Sequence, residues 1–285
     1  MPIRLSLAGA ESKCPGLIRD GRFFLPENGA PTSHILKFQI SGFSRVPAFQ
    51  TLLTKLAQSL GLPATDIELH TLDGLPAENP DDSFVVIERY DRYKDEADQV
   101  QRLHQEDFCQ ALGYGHGRKY QAEGGPGFPD CLRLIRDVSD EPALDAPVLI
   151  EWQIFNFLAG NSDGHAKNLS LLYSAGNSLR LAPFYDLVCT RAIRHVDAHL
   201  ALSIGGQHNP GNISKQHWSD FARENEIGQR YLFGLVKQQA EQMLDTIAKV
   251  LTDFTDEHGA YAALQRVRTV VESQCKRTLK DLVSA

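Results

Sequence analysis

The sequence predicts an α+β fold of two lobes, in which a strand-rich N-terminal lobe precedes a lobe dominated by helices. Three observations support this prediction. Short apolar segments in the first third of the chain are separated by turn residues such as Asp20 and Gly21. Beyond Asp91 the apolar residues recur at helical spacing, and from Lys215 onward nearly the whole chain fits helices. The most apolar segment, residues 147–160, also has helical spacing and indicates a buried helix.

In the N-terminal lobe the pattern predicts strands and one helix. Strands are predicted at residues 4–7, 17–19, 22–25, 34–38, 67–72 and 84–90. Turn residues at 20–21 and 73–74 separate neighbouring strands. Residues 47–60 carry apolar side chains three and four positions apart, which predicts a helix that ends at Gly61.

The second lobe is predicted to be mostly helical. Its predicted elements are helices at 105–112, 129–138 and 147–160, a glycine-rich stretch at 113–127, a polar loop at 161–168, and strands at 169–173 and 179–181. The chain ends in a long amphipathic stretch, whose apolar stripe at 231–251 is expected to face the core. We therefore predict an N-terminal lobe at residues 1–87, a hinge at 88–91 and a C-terminal lobe at 92–285.

Composition and charge exclude several classes of protein. Of the 285 residues, 42% are hydrophobic and 23% are charged, as in an ordinary globular protein. No apolar run approaches the roughly 20 residues that span a bilayer, and residue 1 leads directly into a predicted strand. We therefore expect a cytoplasmic protein without a signal peptide. The net charge of −7 argues against nucleic-acid binding by this chain alone. The five cysteines form no CxxC pair, which argues against a disulfide framework or a zinc site.

The clearest chemical signal lies at residues 161–168, directly after the predicted buried helix. Asp163 and Asn168 are five positions apart, and Asp186 follows after the predicted hairpin. Protein kinases place a catalytic aspartate, a metal-binding asparagine and a metal-binding aspartate in this order. One carboxylate faces the acceptor hydroxyl, while the amide and the other carboxylate share Mg²⁺ beside the phosphates. A lone Asp-Gly pair would be a simple turn, but the ordered set favours phosphoryl transfer from ATP.

Other segments fit a kinase more weakly when each is taken alone. Lys37 lies on a predicted strand, where a kinase keeps the lysine that pairs with the α- and β-phosphates, although most lysines simply face solvent. Residues 6–13 could cover the phosphates or form an ordinary β-turn. Glu88 and Tyr90 lie between the predicted lobes, where backbone groups could bind an adenine edge or the strand could end in a salt bridge.

Six segments together resemble the HipA-type serine/threonine kinase toxins of bacteria. They are residues 6–13 (SLAGAESK), 31–37 (PTSHILK), 86–92 (VIERYDR), 102–112 (RLHQEDFCQAL), 161–168 (NSDGHAKN) and 185–187 (YDL). The resemblance covers nearly the whole chain. It implies a protein-kinase-like fold, the use of ATP and Mg²⁺, and transfer of phosphate to a serine or threonine of a protein.

The resemblance assigns roles within the predicted catalytic loop. It implies that Asp163 is the catalytic base and that Asn168 and Asp186 are the magnesium ligands. His165 stands where ordinary protein kinases have a phosphate-facing lysine, so it is expected to contact phosphate. Lys37 is expected to hold the α- and β-phosphates.

The same resemblance implies how the nucleotide is held and how the enzyme is silenced. Glu88 and Tyr90 are expected to bind adenine through the hinge backbone. Ser6 matches the family's autophosphorylated serine, and phosphate there would add nearly two negative charges beside the nucleotide and expel the loop. Lys13 and the loop before it are expected to cover the nucleotide. The loop residues in this role are Leu7, Ala8, Gly9 and Ala10.

Two departures from the family pattern bear on the resemblance. Glu11 stands where the family loop usually has glutamine, and its negative charge near the phosphates would weaken ATP binding. Full-length HipA proteins carry a further subdomain before this loop, whereas five residues precede it here. The chain therefore resembles a short form, whose N-terminal piece is a separate small protein that acts as antitoxin, and it equally fits a truncated gene product.

The resemblance also implies partners and a biological outcome. It implies an aminoacyl-tRNA synthetase as protein substrate, growth arrest as outcome, and antitoxin partners, one of them DNA-binding and one the separate small protein. Two other functions are compatible with the residues: a nucleotide-binding corepressor that works with a DNA-binding antitoxin, and a small-molecule kinase. Retention of every chemical residue argues against the first. We interpret His195, His199 and His208 as loop and surface residues, because their irregular spacing fits no metal site.

Overall fold

The computed structural model describes most of the chain and shows an α+β fold. The described residues are 12–19, 21–27, 32–40, 42–43, 45–71, 83–115, 117–174, 176, 178–260 and 262–283. The predicted strand at 4–7, the predicted turn at 73–74 and the first part of the nucleotide-covering loop lie outside the described residues. The fold class predicted from the sequence is confirmed.

The N-terminal part forms a five-stranded antiparallel sheet with one helix on it. Its elements are β1 (Lys13–Arg19), β2 (Arg22–Phe24), β3 (His34–Phe38), α1 (Val46–Ser59), β4 (Ile67–Thr71) and β5 (Ser83–Glu88). The strand order is β2-β1-β3-β5-β4, so β3 lies at the centre. The predicted hairpin around residues 20–21 is confirmed, since Arg19 pairs with Arg22 across the turn.

The helix α1 fixes this sheet against the rest of the molecule. Its apolar residues recur on several sides, and Phe49, Leu52 and Leu56 are fully buried. Pro47 lies in the first turn, where the helix needs no backbone donor. The helix packs against β4 and β5 on one side and against a long C-terminal helix on another.

The C-terminal part is mainly helical. Its strands are β6 (Arg92–Lys94), β7 (Val100–Arg102), β8 (His104–Asp107), β9 (Ser170–Tyr173) and β10 (Leu179–Leu181). Its helices are α2 (Phe108–Ala111), α3 (Phe128–Val138), α4 (Pro142–Ala159), α5 (Lys215–Glu224), α6 (Gln229–His258) and α7 (Ala262–Val283). The predicted hairpin after the polar loop is confirmed as β9 and β10, which form a three-stranded sheet with β8. None of the described helices combines the length and apolar character needed to cross a membrane.

The predicted helix at 105–112 is wrong in its first half. Strand β8 occupies that half and pairs with β9, which places Asp107 opposite Ser170. The helix begins only at Phe108, because the Asp107 side chain accepts a hydrogen bond from the Gln110 amide and completes a capping box. The apolar spacing therefore spans a strand end followed by a single helical turn.

The helix α4 is the buried helix that the sequence predicts, but it is longer. It begins at Pro142, five residues before the predicted start. Pro147 therefore lies inside the helix, where it removes one backbone donor without ending it. Large side chains on different sides of it, such as Trp152 and Phe155, are fully buried between α3, α6 and α7. Its C-terminal end leads directly into the polar loop at 161–168.

Candidate active site

The polar loop at 161–168 is buried, which excludes the reading of it as a solvated turn. Asp163 is 8% exposed, Asn168 is 4% exposed and His165 is completely buried. The Ser162 amide donates to the Thr190 hydroxyl at 2.7 Å. Buried polar groups need such partners, so the loop is held in one conformation by side chains from outside it.

The glycine in this loop is required by a close approach. A Cβ on Gly164 would lie 2.8 Å from the amide nitrogen of Asn156, which belongs to α4. The Asn161 side-chain amide donates to the Asn156 side-chain oxygen at 2.9 Å. The loop is therefore packed directly onto the last turn of the central helix, where a larger residue would displace it.

Asp163 is oriented by hydrogen bonds at both its side chain and its backbone. The Tyr120 hydroxyl donates to Asp163 Oδ1 at 2.6 Å. The Asn168 side-chain amide donates to the Asp163 carbonyl at 3.1 Å, and the Asp163 amide donates to the Asn161 side chain at 3.2 Å. These bonds fix the relative positions of Asp163 and Asn168, the two residues that the sequence places five apart.

Asp186 forms an ion pair with Lys37. The Lys37 ammonium donates to Asp186 Oδ1 at 2.7 Å, and both side chains are about nine-tenths buried. Burial favours the neutral carboxyl, but the charge of Lys37 outweighs it and holds the pKa of Asp186 below its usual value. The backbone of Asp186 is left-handed, with φ of 60°, a conformation that costs a non-glycine residue energy.

The chain before Asp186 is fastened to the N-terminal part. The Phe184 amide donates to the Pro63 carbonyl at 2.7 Å, and the Thr65 amide donates to the Phe184 carbonyl at 2.9 Å. These bonds bring the strand lysine of β3 and the carboxylate after β10 together, although 149 positions separate them in the sequence.

A polar cavity of about 440 Å³ is lined by five of the eight predicted site residues that the structure describes. Its lining includes Lys13, Lys37, His165, Lys167, Asn168 and Asp186. Lys13 lies directly opposite Lys37 in the β1–β3 register. Like charges in this position repel each other, so the arrangement favours an anion between them.

A second, mostly apolar cavity of about 150 Å³ continues from the first at the end of β5. The two cavities share Ile35, Lys37, Gln105 and Tyr185. The Tyr90 ring stacks on Tyr185 with 6.0 Å between centroids, and its hydroxyl donates to Gln105. Burial raises the pKa of Tyr90 to about 12, so this hydroxyl stays protonated.

The backbone at the entrance to this second cavity is partly used by the sheet. The Glu88 amide donates to the Asp66 carbonyl at 3.1 Å, and the Arg89 amide donates to the Ser33 carbonyl at 3.0 Å. The next amide along the chain is that of Tyr90. A salt bridge also forms here, as one reading of the sequence expected, because Arg89 binds Asp91 at 2.9 Å.

The polar cavity offers oxygen ligands that suit magnesium. Asn168 and Asp186 both border it, and magnesium is commonly held by one or two such groups together with substrate phosphates. Over the part of the chain that the structure describes, there is no cluster of three His, Cys, Asp or Glu residues that could hold a metal by themselves. The donor set therefore fits a metal completed by a phosphorylated ligand.

Two residues of the site were not predicted from the sequence. Lys119 and Tyr120 come from the glycine-rich stretch, and Lys119 Nζ lies 2.9 Å from His165 Nε2. Tyr120 and Asp163 also line a small cavity of about 20 Å³ with His199, which is exposed, as the sequence predicts. The glycine-rich composition was the available signal, since glycines often mark a close backbone approach.

The remaining predicted site residues lie outside the described part of the chain. They are Ser6, Leu7, Ala8, Gly9 and Ala10. Lys13, which follows this segment, is the first residue of β1 and borders the polar cavity.

Comparisons with known proteins agree with the geometry. The family model described as "HipA-like C-terminal domain" matches residues 5–255. The candidate kinase Y4mE of Sinorhizobium fredii is 39% identical over 254 residues, which are 89% of this chain and 59% of that protein. The serine/threonine-protein kinase toxin HipA of Shewanella oneidensis is 25% identical over 295 residues, covering 97% of this chain and 64% of that protein.

A solved structure also has this fold. It is the complex of HipA and HipB from Shewanella oneidensis MR-1 with operator DNA, which matches with a TM-score of 0.87 and 24% identity over 98% of this chain and 66% of that one. The chain spans about three fifths of the length of the curated relatives named above. Because the family model covers most of the sequence, the chain belongs to the HipA-like C-terminal domain family.

Proposed function

We propose that this protein transfers the γ-phosphate of ATP to a serine or threonine hydroxyl of a protein. The observation that carries the proposal is the position of Asn168. Its amide holds the Asp163 backbone, while the same residue borders the polar cavity with Asp186 and Lys37. Such an arrangement puts a candidate base and a candidate metal–phosphate site on two sides of one residue, as phosphoryl transfer requires.

The nucleotide would lie along the two connected cavities. The apolar cavity suits an adenine ring beside Tyr90, whose amide would donate to the base while the Glu88 carbonyl accepts from it. The polar cavity suits the phosphates, because Lys13 and Lys37 would each donate to phosphate oxygens. The loop formed by residues 7–10 would cover the nucleotide, and Ser6 would be its autophosphorylation site.

Catalysis would depend mainly on positioning and charge. Asn168 and Asp186 would hold magnesium, which when bound neutralises charge on the phosphates. Asp163, oriented by Tyr120, would accept the proton of the acceptor hydroxyl as its oxygen attacks phosphorus. Lys37 would exchange part of its bond with Asp186 for a bond with the α- and β-phosphates.

The biological setting that we propose follows the family. The relatives include a kinase toxin, and the matched solved structure is a complex with HipB and operator DNA. We propose that this chain is the toxin of a cytoplasmic toxin–antitoxin system, with an aminoacyl-tRNA synthetase as substrate. Its antitoxin partners would be a DNA-binding protein and a separate small protein. We also propose lobe limits at residues 1–87 and 92–285, with residues 88–91 as hinge.

The test is phosphoproteomics after expression of the wild type and of Asp163→Asn. The variant should lose about 10²–10⁴-fold in transfer rate while it stays folded, because only general-base assistance is removed. Asp98→Asn, which changes an exposed carboxylate that lines neither cavity, is the matched control. Enrichment of one serine in one protein by the wild type would name the substrate.

Other outcomes of this experiment would redirect the proposal. Unchanged transfer by Asp163→Asn would remove Asp163 from the role of base. Nucleotide binding by the wild type without any transfer would favour the corepressor function. Phosphorylation of a metabolite without any phosphoserine or phosphothreonine on protein would favour a small-molecule kinase.

A further inference from the structure

Lys119 contacts the site from outside the six segments that carry the family resemblance. Its ammonium lies 2.9 Å from His165 Nε2 and 4.8 Å from the centroid of the Tyr120 ring. Tyr120 in turn donates to Asp163 at 2.6 Å. Two consecutive residues of one segment therefore contact the first and third residues of the sequence Asp163-Gly164-His165.

The segment that carries Lys119 is built to hold this position. A Cβ on Gly125 would lie 2.8 Å from the carbonyl oxygens of both Arg118 and Tyr120, and the Gly125 amide donates to the Tyr120 carbonyl at 2.9 Å. The glycine lets the chain fold back tightly behind Lys119. Further along, the side chain of Gln121 accepts from the Ser203 amide at 2.7 Å. The glycine-rich stretch is thus a support for this lysine and tyrosine.

The positive charge at this contact lies on Lys119, because His165 is neutral. An ammonium group can only donate, so His165 Nε2 accepts from Lys119 and the ring proton is assigned to Nδ1. That Nδ1 is itself buried and has no hydrogen-bond partner within the described residues. Burial, followed by the charge of Lys119, lowers the pKa of His165 to about 3, so the ring is neutral.

The charge of Lys119 interacts with two carboxylates of the site. Burial lowers the pKa of Lys119 below its usual value, and the carboxylates of Asp163 and Asp186 oppose this shift because they favour the charged form. These are the two acids between which the transferred phosphate would lie in the proposed function. A neutral histidine at position 165 supplies no positive charge, whereas an ammonium beside it does.

We propose that Lys119 binds the terminal phosphate of the nucleotide, and that His165 acts as a positioning residue for it. This inference rests on the proposed function and deepens it, because it replaces direct phosphate contact by His165 with contact by a lysine from a distant segment. Preorganised donors aimed at developing negative charge are among the largest contributions to catalysis.

The proposed transfer forms one bond to the γ-phosphorus and breaks another. The acceptor oxygen forms a bond to the γ-phosphorus and gives its proton to the Asp163 carboxylate. The bond between the γ-phosphorus and the bridging oxygen breaks, and its electron pair leaves with ADP. Lys119 stays protonated throughout and donates to a γ-phosphate oxygen before, during and after the transfer.

The test compares Lys119→Met with Arg118→Met, which removes a positive charge from the adjacent, exposed side chain. Calorimetry with Mg²⁺ would measure the affinities for ADP and for the non-hydrolysable β,γ-imido analogue of ATP. In Lys119→Met the preference for the triphosphate should fall about tenfold, with ADP affinity within about twofold of the wild type. Its transfer rate should fall about 10²–10³-fold. Arg118→Met should match the wild type in all three measurements.

Two results would overturn the proposal. One is a triphosphate preference and a transfer rate in Lys119→Met equal to those of Arg118→Met. The other is an equal loss of affinity for both nucleotides, which would mean that Lys119 only supports the fold. Lys119→Arg retains the charge and should recover part of the triphosphate preference. If the wild type transfers phosphate to no protein, the proposed function fails, but the comparison of affinities still decides the role of Lys119.

Discussion

The segment after β5 and the polar cavity each contain a buried carboxylate paired with cations, yet the two are built differently. Asp91, after β5, is 2% exposed and is bound by Arg89 at two oxygens, at 3.0 Å and 2.9 Å, with Arg92 as a further partner. Asp186 pairs with Lys37, borders the polar cavity and has a left-handed backbone. Guanidinium groups surround the first carboxylate, whereas the second faces space for a ligand.

In the proposed function, this difference separates a structural ion cluster from a functional one. The planar guanidinium binds a carboxylate at two points and stays charged, so the Asp91 cluster is a fixed joint. The Arg92 side chain extends this joint, because it also donates to the Thr32 carbonyl at 2.9 Å. A single ammonium is easier to share with a phosphate, and backbone strain is concentrated at functional positions. The two carboxylates should therefore respond in opposite ways to the same substitution.

The largest effect is expected for Asp186→Asn. In the proposed function Asp186 would hold magnesium, so loss of its carboxylate should lower the transfer rate about 10³-fold, in line with the several kcal/mol that a metal supplies. Asparagine tolerates the left-handed backbone, so the local conformation is preserved. Steady-state transfer and the magnesium dependence of ADP affinity would measure the effect.

The matched control for Asp186→Asn is Asp98→Asn. Asp98 also has a left-handed backbone, with φ of 58°, but it is exposed in the turn between β6 and β7. This variant should keep both the transfer rate and the magnesium dependence. Normal transfer by Asp186→Asn would show that Asp186 has a structural role like that of Asp91. The contrast between the two carboxylates would then be lost.

The second prediction concerns Asp91→Asn. Removing one partner of a buried ion pair leaves the other charges uncompensated, so the free energy of unfolding should fall by about 3 kcal/mol at pH 7. Burial raises the pKa of Asp91, but Arg89 and Arg92 outweigh it and leave the pKa below its usual value of 3.8. The stabilisation is thus present above pH 3.8 and is lost as pH falls through the lower folded pKa.

Urea unfolding of wild type and Asp91→Asn at several pH values would test this. The difference between the two should shrink as the pH falls below 3.8. Transfer at low temperature, where the variant is folded, should stay within about tenfold of the wild type, since no reacting group is changed. A variant that is stable but inactive would assign Asp91 to the chemistry instead.

The third prediction uses the neutral histidine of the catalytic loop. Burial lowers the pKa of His165 from 6.5 to about 3 in the folded protein. Between these two pH values the unfolded chain therefore binds a proton at His165 that the folded protein does not bind. The folded state is therefore favoured fully above pH 6.5 and loses roughly 1.4 kcal/mol per pH unit below it.

His165→Asn should lack this part of the pH dependence. Between pH 6.5 and 4.5 its free energy of unfolding, measured with urea, should fall less steeply than that of the wild type. The control His104→Asn changes an exposed imidazole and should keep the wild-type slope. Parallel curves for wild type and His165→Asn would mean that the loop opens and hydrates His165 before the protein unfolds.

The polar loop at 161–168 could be predicted from the sequence because its residues are close together in the chain. Asp163, Asn168 and Asp186 lie within one window, and the hairpin between the last two has a regular strand pattern. The strand lysine of β3 could be predicted in the same way. The ion pair between Lys37 and Asp186 could not be predicted, because the backbone hydrogen bonds of Phe184 with Pro63 and Thr65 that join the two segments leave no local sequence pattern.

Lys119 and Tyr120 could not be predicted, because no local pattern indicates where a glycine-rich stretch folds back. Lys119 is 46 positions from His165 in the sequence. The hairpin of β6 and β7 was missed for another reason, since its residues are mainly polar and exposed and show no apolar alternation. Sequence patterns report burial, so they fail where a segment is positioned by hydrogen bonds alone.

The smallest effect is expected for Tyr120→Phe, which sharpens the comparison at a third carboxylate. The Tyr120 hydroxyl donates to Asp163 at 2.6 Å, and this bond should contribute about 1 kcal/mol to the free energy of unfolding. Since that bond also orients the carboxylate, the transfer rate should fall about tenfold with little change in KM for ATP.

The control Tyr173→Phe removes a similar bond, from a hydroxyl to Glu106 at 2.9 Å on the β8–β9 sheet. It should lower stability by a similar amount and leave the transfer rate unchanged. Equal losses of rate in the two variants would mean that Tyr120 affects the rate only through the stability of the fold. The hydrogen bond from Tyr120 would then stabilise Asp163, as the arginines stabilise Asp91, without orienting its carboxylate for transfer.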